Sequence, residues 1–334
     1  MYDDFYITFF WLLFIIIIII IVIIIIFSHI KQYALFQATR DQVWYPEDNH
    51  KSPPEDNLPK LNYTEGFTDC YLIIDDRKRR AFSKAEITKI ENSKTFNIGD
   101  LHYINIWKFE QFPGNRVVLY YHGNNDNISY RKYVIDICNT LELNLILVDY
   151  RGYGDSASLP SNKFLLEDAK VAYEHVRTEY ESNDIIIWGE SLGGIAAIWT
   201  AHKYRCNALI LLSTFADLRT LVEKMDINES FKNILKKLAK SKLMNNGKWI
   251  RDVRAPIVII HSPDDDILPY VNAEMLYSSV KSTRKKLINI AGPHAHPYFK
   301  YENLVDLLNF IQIEDSIIQD NDKMNKILDI INNL

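Results

Sequence analysis

The sequence predicts an α/β domain built on a mostly parallel sheet, carried behind one N-terminal membrane span. Three observations predict it. Short β-branched runs alternate with longer amphipathic stretches, the pattern of right-handed strand–helix–strand crossovers. Residues Asp184 to Ile198 read as a buried strand, a G-x-S-x-G turn and a helix in immediate succession. The chain also opens with 21 uncharged residues, Ile7 to Phe27, including an almost unbroken isoleucine run from Ile15 to Ile26.

The totals fit this reading. A chain of 334 residues holds one large α/β domain and an extra segment, and 48% hydrophobic residues are ample for its core. A net charge of −5 argues against a nucleic-acid binder, which usually carries a basic excess. Cys70, Cys138 and Cys206 are far apart, as suits buried free thiols rather than a disulfide framework. No metal-ligand spacing appears, and no cofactor is expected.

At a rise of about 1.5 Å per residue the apolar N-terminus covers a hydrocarbon core of about 30 Å. The preceding Met-Tyr-Asp-Asp is not the basic start of a signal peptide, and no small-residue cleavage site follows. Residues 1–30 therefore read as a retained single-pass anchor. Lys31 and Arg40 after the span, against Asp3 and Asp4 before it, favour a cytosolic domain, whereas the sequons at Asn62, Asn127 and Asn228 point the other way if used. Residues 31–64, with Pro46, Pro53, Pro54 and Pro59 among acids and asparagines, read as an extended linker. The catalytic domain is then 65–312, with a cap at about 215–254 and an amphipathic tail at 313–334.

Within the domain, Phe67 to Ile74 and Leu101 to Phe109 read as early strands, the second with one side exposed. The basic run Arg77 to Arg80 reads as a solvated face or a contact to anionic headgroups. Val117 to Tyr121 and Leu143 to Val148 follow as strands, separated by a helix over Tyr130 to Leu141. A helix over Leu165 to Tyr180 leads to the strand at 184–190. Ala208 to Leu212, Pro256 to Ile260 and Lys286 to Ile290 complete the sheet. Sites in such sheets lie at the carboxyl ends of the strands. His122-Gly123, Asp149 to Gly154, Ser191, Asp264 to Asp266 and His294 all fall there.

These residue types permit acyl transfer. A serine hydroxyl needs a base to take its proton, and the base needs a carboxylate to hold its tautomer. Ser191 is the candidate nucleophile, with Gly189 and Gly193 expected to leave room for the strained turn. His294, in Ala-Gly-Pro-His after the last strand, is the candidate base, and His296 fits the same chain order. His202 lies in the helix behind the turn, and His261 precedes the acids. Asp264, Asp265 and Asp266 compete for the acid, and one of them can instead cap the helix over Tyr270 to Val280. The backbone N–H of Leu192 is one expected oxyanion donor, and that of Asn124 the second, with His122 bracing the loop.

Five motifs in order then resemble the serine-hydrolase branch of the α/β-hydrolase superfamily, above all the Bem46-like group of single-pass membrane hydrolases. They are His122-Gly-Asn, Asp149 to Ser156 with Pro160, Gly189 to Gly194 with Ser213 to Arg219, His261 to Pro269, and Gly292-Pro-His294. The resemblance covers roughly residues 65–312. It implies that the acid falls on Asp265 and the base on His294. Ser262 stands where relatives carry glycine, and His296 where many carry an acidic residue. It further implies a membrane-anchored hydrolase of ester or thioester bonds, acting on lipid or acylated substrates. A peptidase of the same fold and an inactive membrane scaffold are the rival readings. Residues 231–243 place Phe231, Ile234, Leu235 and Leu238 opposite Lys232, Lys236, Lys237 and Lys240, as suits a cap helix or a lipid-facing one.

Overall fold

The computed structural model describes residues 66–74, 81–91, 102–224, 229, 232–233 and 245–334. The anchor at 1–30, the linker, the basic run at 77–80 and nearly all of the amphipathic stretch at 231–243 lie outside the described residues. Among the described residues no helix is long and apolar enough to cross a membrane.

Among the described residues nine strands form one sheet: β1 (Phe67–Ile73), β2 (Ala81–Phe82), β3 (Tyr103–Phe109), β4 (Val117–Tyr121), β5 (Asn144–Asp149), β6 (Ile185–Glu190), β7 (Ala208–Leu212), β8 (Ile257–His261) and β9 (Lys285–Asn289). Their order is β2-β1-β3-β5-β4-β6-β7-β8-β9. The pairs joining β2, β1, β3 and β5 are antiparallel, and every pair from β5 to β9 is parallel. Each parallel strand is an apolar run because helices cover both faces.

Among the described residues the α-helices are α1 (Lys84–Glu91), α2 (Lys132–Thr140), α3 (Asn162–Val176), α4 (Gly193–Lys203), α5 (Leu218–Lys224), α6 (Asn246–Trp249), α7 (Val271–Ser279), α8 (Tyr301–Phe310), α9 (Asp315–Ile318) and α10 (Asn321–Asn332). One face buries Val118, Ile186, Ile210 and Ile260 of the strands against Val134 and Ile137 of α2, Leu304 and Leu308 of α8, and Met324 and Ile327 of α10. On the other face the Tyr121 hydroxyl donates to Ala169 O of α3 at 3.0 Å and lies 3.3 Å from Thr200 Oγ1 of α4. The segment after residue 313 is therefore built into the main core. Asn332 locks it with a reciprocal pair of bonds to Phe299 at 2.8 and 2.9 Å.

The exposed side expected for the second early strand is absent. Every residue of β3 from Ile104 to Phe109 is buried. The strand lies between β1 and β5, so both edges are paired. Trp107 and Phe109 enter the main core, and Lys108 is covered by ion pairs to Glu110 and Glu179. Alternation misled because a buried lysine with two carboxylate partners reads in sequence as an exposed one.

Two smaller expectations resolve here. Cys70, Cys138 and Cys206 are buried free thiols. Asn127 of the second sequon is fully buried, and its Oδ1 accepts from Ser129 N at 2.9 Å, so a glycan has no room there in the folded domain. Asn62 and Asn228 lie outside the described residues.

Candidate active site

The site is assembled at the carboxyl ends of β4, β6, β8 and β9. After β6 the chain turns sharply, and Ser191 takes φ +49°, a left-handed conformation that costs a non-glycine residue about 1–2 kcal/mol. The turn closes so tightly that a Cβ on Gly193 would lie 2.0 Å from Tyr121 O, and one on Gly189 would lie 2.5 Å from Ala197 Cβ. Only glycine fits at either place. Ser191 N donates to Leu212 O at 2.9 Å, and the Thr214 hydroxyl donates to Ser191 O at 2.6 Å. The strained residue is thus held by β7 and the turn after it. Nothing in the sequence marked Thr214 as a support, since its role depends on β7 lying beside β6.

His294 and Asp265 meet Ser191 there. His294 Nε2 lies 3.1 Å from Ser191 Oγ, and its Nδ1 lies 2.8 Å from Asp265 Oδ2. Asp265 is buried. Its Oδ1 accepts from Ile267 N at 2.9 Å and Leu268 N at 2.6 Å. Burial pushes the Asp265 carboxyl up, but the His294 hydrogen bond and charge, the Leu268 N–H and the nearby His261 hold it below its ordinary value.

The acidic triple divides its work differently from a cap. Asp266 Oδ1 accepts from the backbone N–H of His294 at 3.0 Å, and this bond draws the exposed Asp266 carboxyl below its usual value. Helix α7 has Tyr270 at its N-cap and no side-chain cap, so none of the three aspartates caps it. Asp264 is exposed, and its N–H donates to Ser262 Oγ at 3.0 Å. That serine, in place of the usual glycine, serves the turn.

Of the remaining histidines, His261 is fully buried, with Nε2 3.0 Å from Leu268 O and 3.4 Å from Asp265 Oδ2. His296 Nδ1 contacts Leu334 O instead of the acid. His202 lies on α4, away from these contacts, and burial and the neighbouring Lys203 lower its pKa.

The two residues expected to donate to an oxyanion lie at the start of α4 and in the turn after β4. Leu192 stands at the start of α4, where N–H groups lack intrahelical partners and the helix end favours negative charge. The Asn124 side chain accepts from the Tyr153 hydroxyl at 3.1 Å, which fixes the turn carrying its backbone amide. His122 is fully buried and braces that turn, with Nδ1 2.7 Å from Gly123 O and its ring 4.6 Å from that of Tyr150. Its Nε2 lies 3.3 Å from Asp149 Oδ1.

Sequence reasoning passed over Glu190, the variable residue of the elbow. Its Oε2 accepts from the hydroxyls of Tyr120 and Tyr133. Burial acts to raise its pKa, yet Arg131 and the two tyrosines hold it below the usual carboxylate value. An unexpected carboxylate beside a nucleophile is visible in sequence, but its partners come from β4 and α2 and are not.

Comparison with known proteins agrees with this architecture. Residues 113–250 match the Hydrolase_4 family, described as serine aminopeptidase, S33. The protein R595 of Acanthamoeba polyphaga mimivirus is 28% identical over 304 residues, 84% of this chain and 92% of that protein. The α/β-hydrolase domain-containing protein WAV2 of Arabidopsis thaliana is 28% identical over 208 residues, 57% of this chain and 67% of its own length. Among solved structures, the Pyrococcus furiosus esterase Pf2001 superposes with a TM-score of 0.55 at 14% identity, over 88% of this chain and 98% of the esterase. The chain thus has the α/β-hydrolase fold, and within it residues 113–250 resemble the Hydrolase_4 family.

Proposed function

We propose that the protein is a membrane-tethered serine hydrolase that cleaves carboxylic ester or thioester bonds of lipid or acylated substrates. The observation that carries the reading is the contact line Ser191 Oγ–His294–Asp265, with steps of 3.1 and 2.8 Å. In this mechanism His294 Nε2 takes the proton of Ser191 Oγ as the oxygen adds to the acyl carbonyl. Asp265 holds the other ring nitrogen and stabilises the imidazolium. The N–H groups of Leu192 and Asn124 receive the developing oxyanion. Collapse of the adduct expels the alcohol or thiol, which takes the proton from His294 and leaves an acyl-Ser191. Water, deprotonated by His294, then releases the acid and restores the hydroxyl.

The tether is read from the sequence alone: the Ile7 to Phe27 stretch has the length and character of a span. It favours substrates presented at a bilayer. The esterase likeness in fold supports the ester reading. A peptidase reading draws on the family description, serine aminopeptidase, and an inactive scaffold is the third option. Labelling with a fluorophosphonate probe separates them. Wild type is expected to label and Ser191→Ala is not, and a wild type that never labels removes the catalytic reading. Turnover of p-nitrophenyl esters, lysophospholipids and palmitoyl-thioester peptides, set beside aminoacyl amides, then sorts esterase from peptidase.

A further inference from the structure

Glu190 is an ionisable group of the site that the mechanism above does not use. Glu190 immediately precedes Ser191 at the end of β6. Its Oε1 lies 3.3 Å from where a Cβ on Gly123 would stand, and Ser191 Cβ lies 3.5 Å from the same point. The carboxylate therefore occupies the angle between the nucleophile and the turn that carries the Asn124 amide. Its other oxygen takes the two tyrosine hydroxyls, whose own oxygens are 3.0 Å apart. Arg131 is buried, and its Nη2 donates to Asn125 O at 2.7 Å. One cation thus serves both Glu190 and the turn.

We propose that Glu190 is a positioning residue of the hydrolytic site, a fixed negative charge that favours the protonated form of His294 and backs the Gly123 turn against Ser191. The inference rests on the serine-hydrolase reading. Its physical basis is the change of charge on His294 during the reaction. The imidazole starts neutral and becomes a cation when it takes the serine proton. A nearby carboxylate in a site partly closed to water stabilises that cation and raises the pH at which the base becomes protonated. A neutral glutamine of the same shape would keep a hydrogen-bond acceptor and lose this effect.

The charged and titratable groups around the pair are few. Glu190 faces Tyr120 from β4, Tyr133 and Arg131 from α2 and its start, and His294 from the loop after β9. Arg131 in turn feels Asp126. His294 faces Asp265 through its ring and Asp266 through its backbone, with His261 behind Asp265. Burial opposes ionisation of Glu190, but Arg131 and the tyrosine hydroxyls outweigh it. Glu190 therefore carries its charge in the folded site.

The test is the pH dependence of kcat/KM for a soluble p-nitrophenyl ester, measured on the full chain in detergent or liposomes. Glu190→Gln is expected to move the acid limb down by about half a unit to one unit, with kcat falling about tenfold. Glu190→Asp keeps the charge and is expected to return the limb to within about 0.2 units of wild type. A loss of activity from packing alone would leave the limb in place in both variants. The Arg131→Gln protein supplies a second arm that does not depend on the glutamine variant folding. Without its cation the half-buried carboxylate takes up a proton at higher pH, so the acid limb steepens from a slope near one to a slope near two. Unchanged midpoints and slopes in an active wild-type background would overturn the role of Glu190 alone. A wild type without turnover or labelling would overturn it together with the hydrolase reading.

Discussion

Asp265 makes more hydrogen bonds than the support of one imidazole requires. One oxygen holds His294 and the other ties down the backbone N–H groups of Ile267 and Leu268 in its own loop. The neighbouring Asp266 holds the His294 backbone, so base and acid loop are joined twice. These bonds have a consequence for acid stability. Asp265 and Glu190 both sit below their ordinary carboxyl values when folded. A depressed group supplies stability that is fully present above the unfolded pKa of about 4 and is lost as pH falls through the folded value. The melting temperature is therefore expected to fall steeply below about pH 4, and the fall should be shallower in Asp265→Asn. Thermal melts of the two proteins between pH 7 and pH 3 check this, and parallel curves would count against it. At this scale the sequence singled out Ser191 and His294, which the fold brings together, but left three aspartates in competition. The resemblance chose Asp265, whereas the task of Asp266 depended on where the loop after β9 comes to rest.

Among the elements, strands were the more legible. β4 and β7 run over the residues read from their apolar runs, because a strand buried on both faces has no polar interruption to blur its ends. β3 was misread on exposure for the opposite reason: its lysine has buried partners from distant elements. Helix α10 was legible as amphipathic but not in its destination. Met324 and Ile327 are fully buried on the sheet face shared with α2 and α8. An apolar cavity lined by Val118, Ile186, Leu304 and Ile327 already lies beneath it. Ile327→Ala would enlarge that gap and is expected to cost about 2–4 kcal/mol. Chemical denaturation followed by tryptophan fluorescence measures the loss, while fluorophosphonate labelling of Ser191 in the folded variant should persist. A cost under about half a kcal/mol would show that α10 is only laid on the surface.

At the scale of the molecule, the convergence of motifs on one sheet edge was readable because each motif followed a strand. The order of the strands was not, since pairing partners leave no mark in composition. Antiparallel β1 and β3 lie next to the parallel block, and this places Asn105 where its N–H meets Ser156 Oγ at 2.8 Å and helps to hold the loop after β5. The elbow is where the whole sheet concentrates its constraint, through β4, β7 and α4. Its Ser191 at φ +49° has an energetic implication beyond chemistry. A residue without a Cβ would sit there at ease, so Ser191→Gly is expected to be more stable than Ser191→Ala by about 1 kcal/mol. Matched urea titrations of the two inert proteins test this, and equal midpoints would refute it. Drift toward greater robustness at this position therefore runs through loss of the hydroxyl. A serine there is therefore held against the fold's own conformational preference.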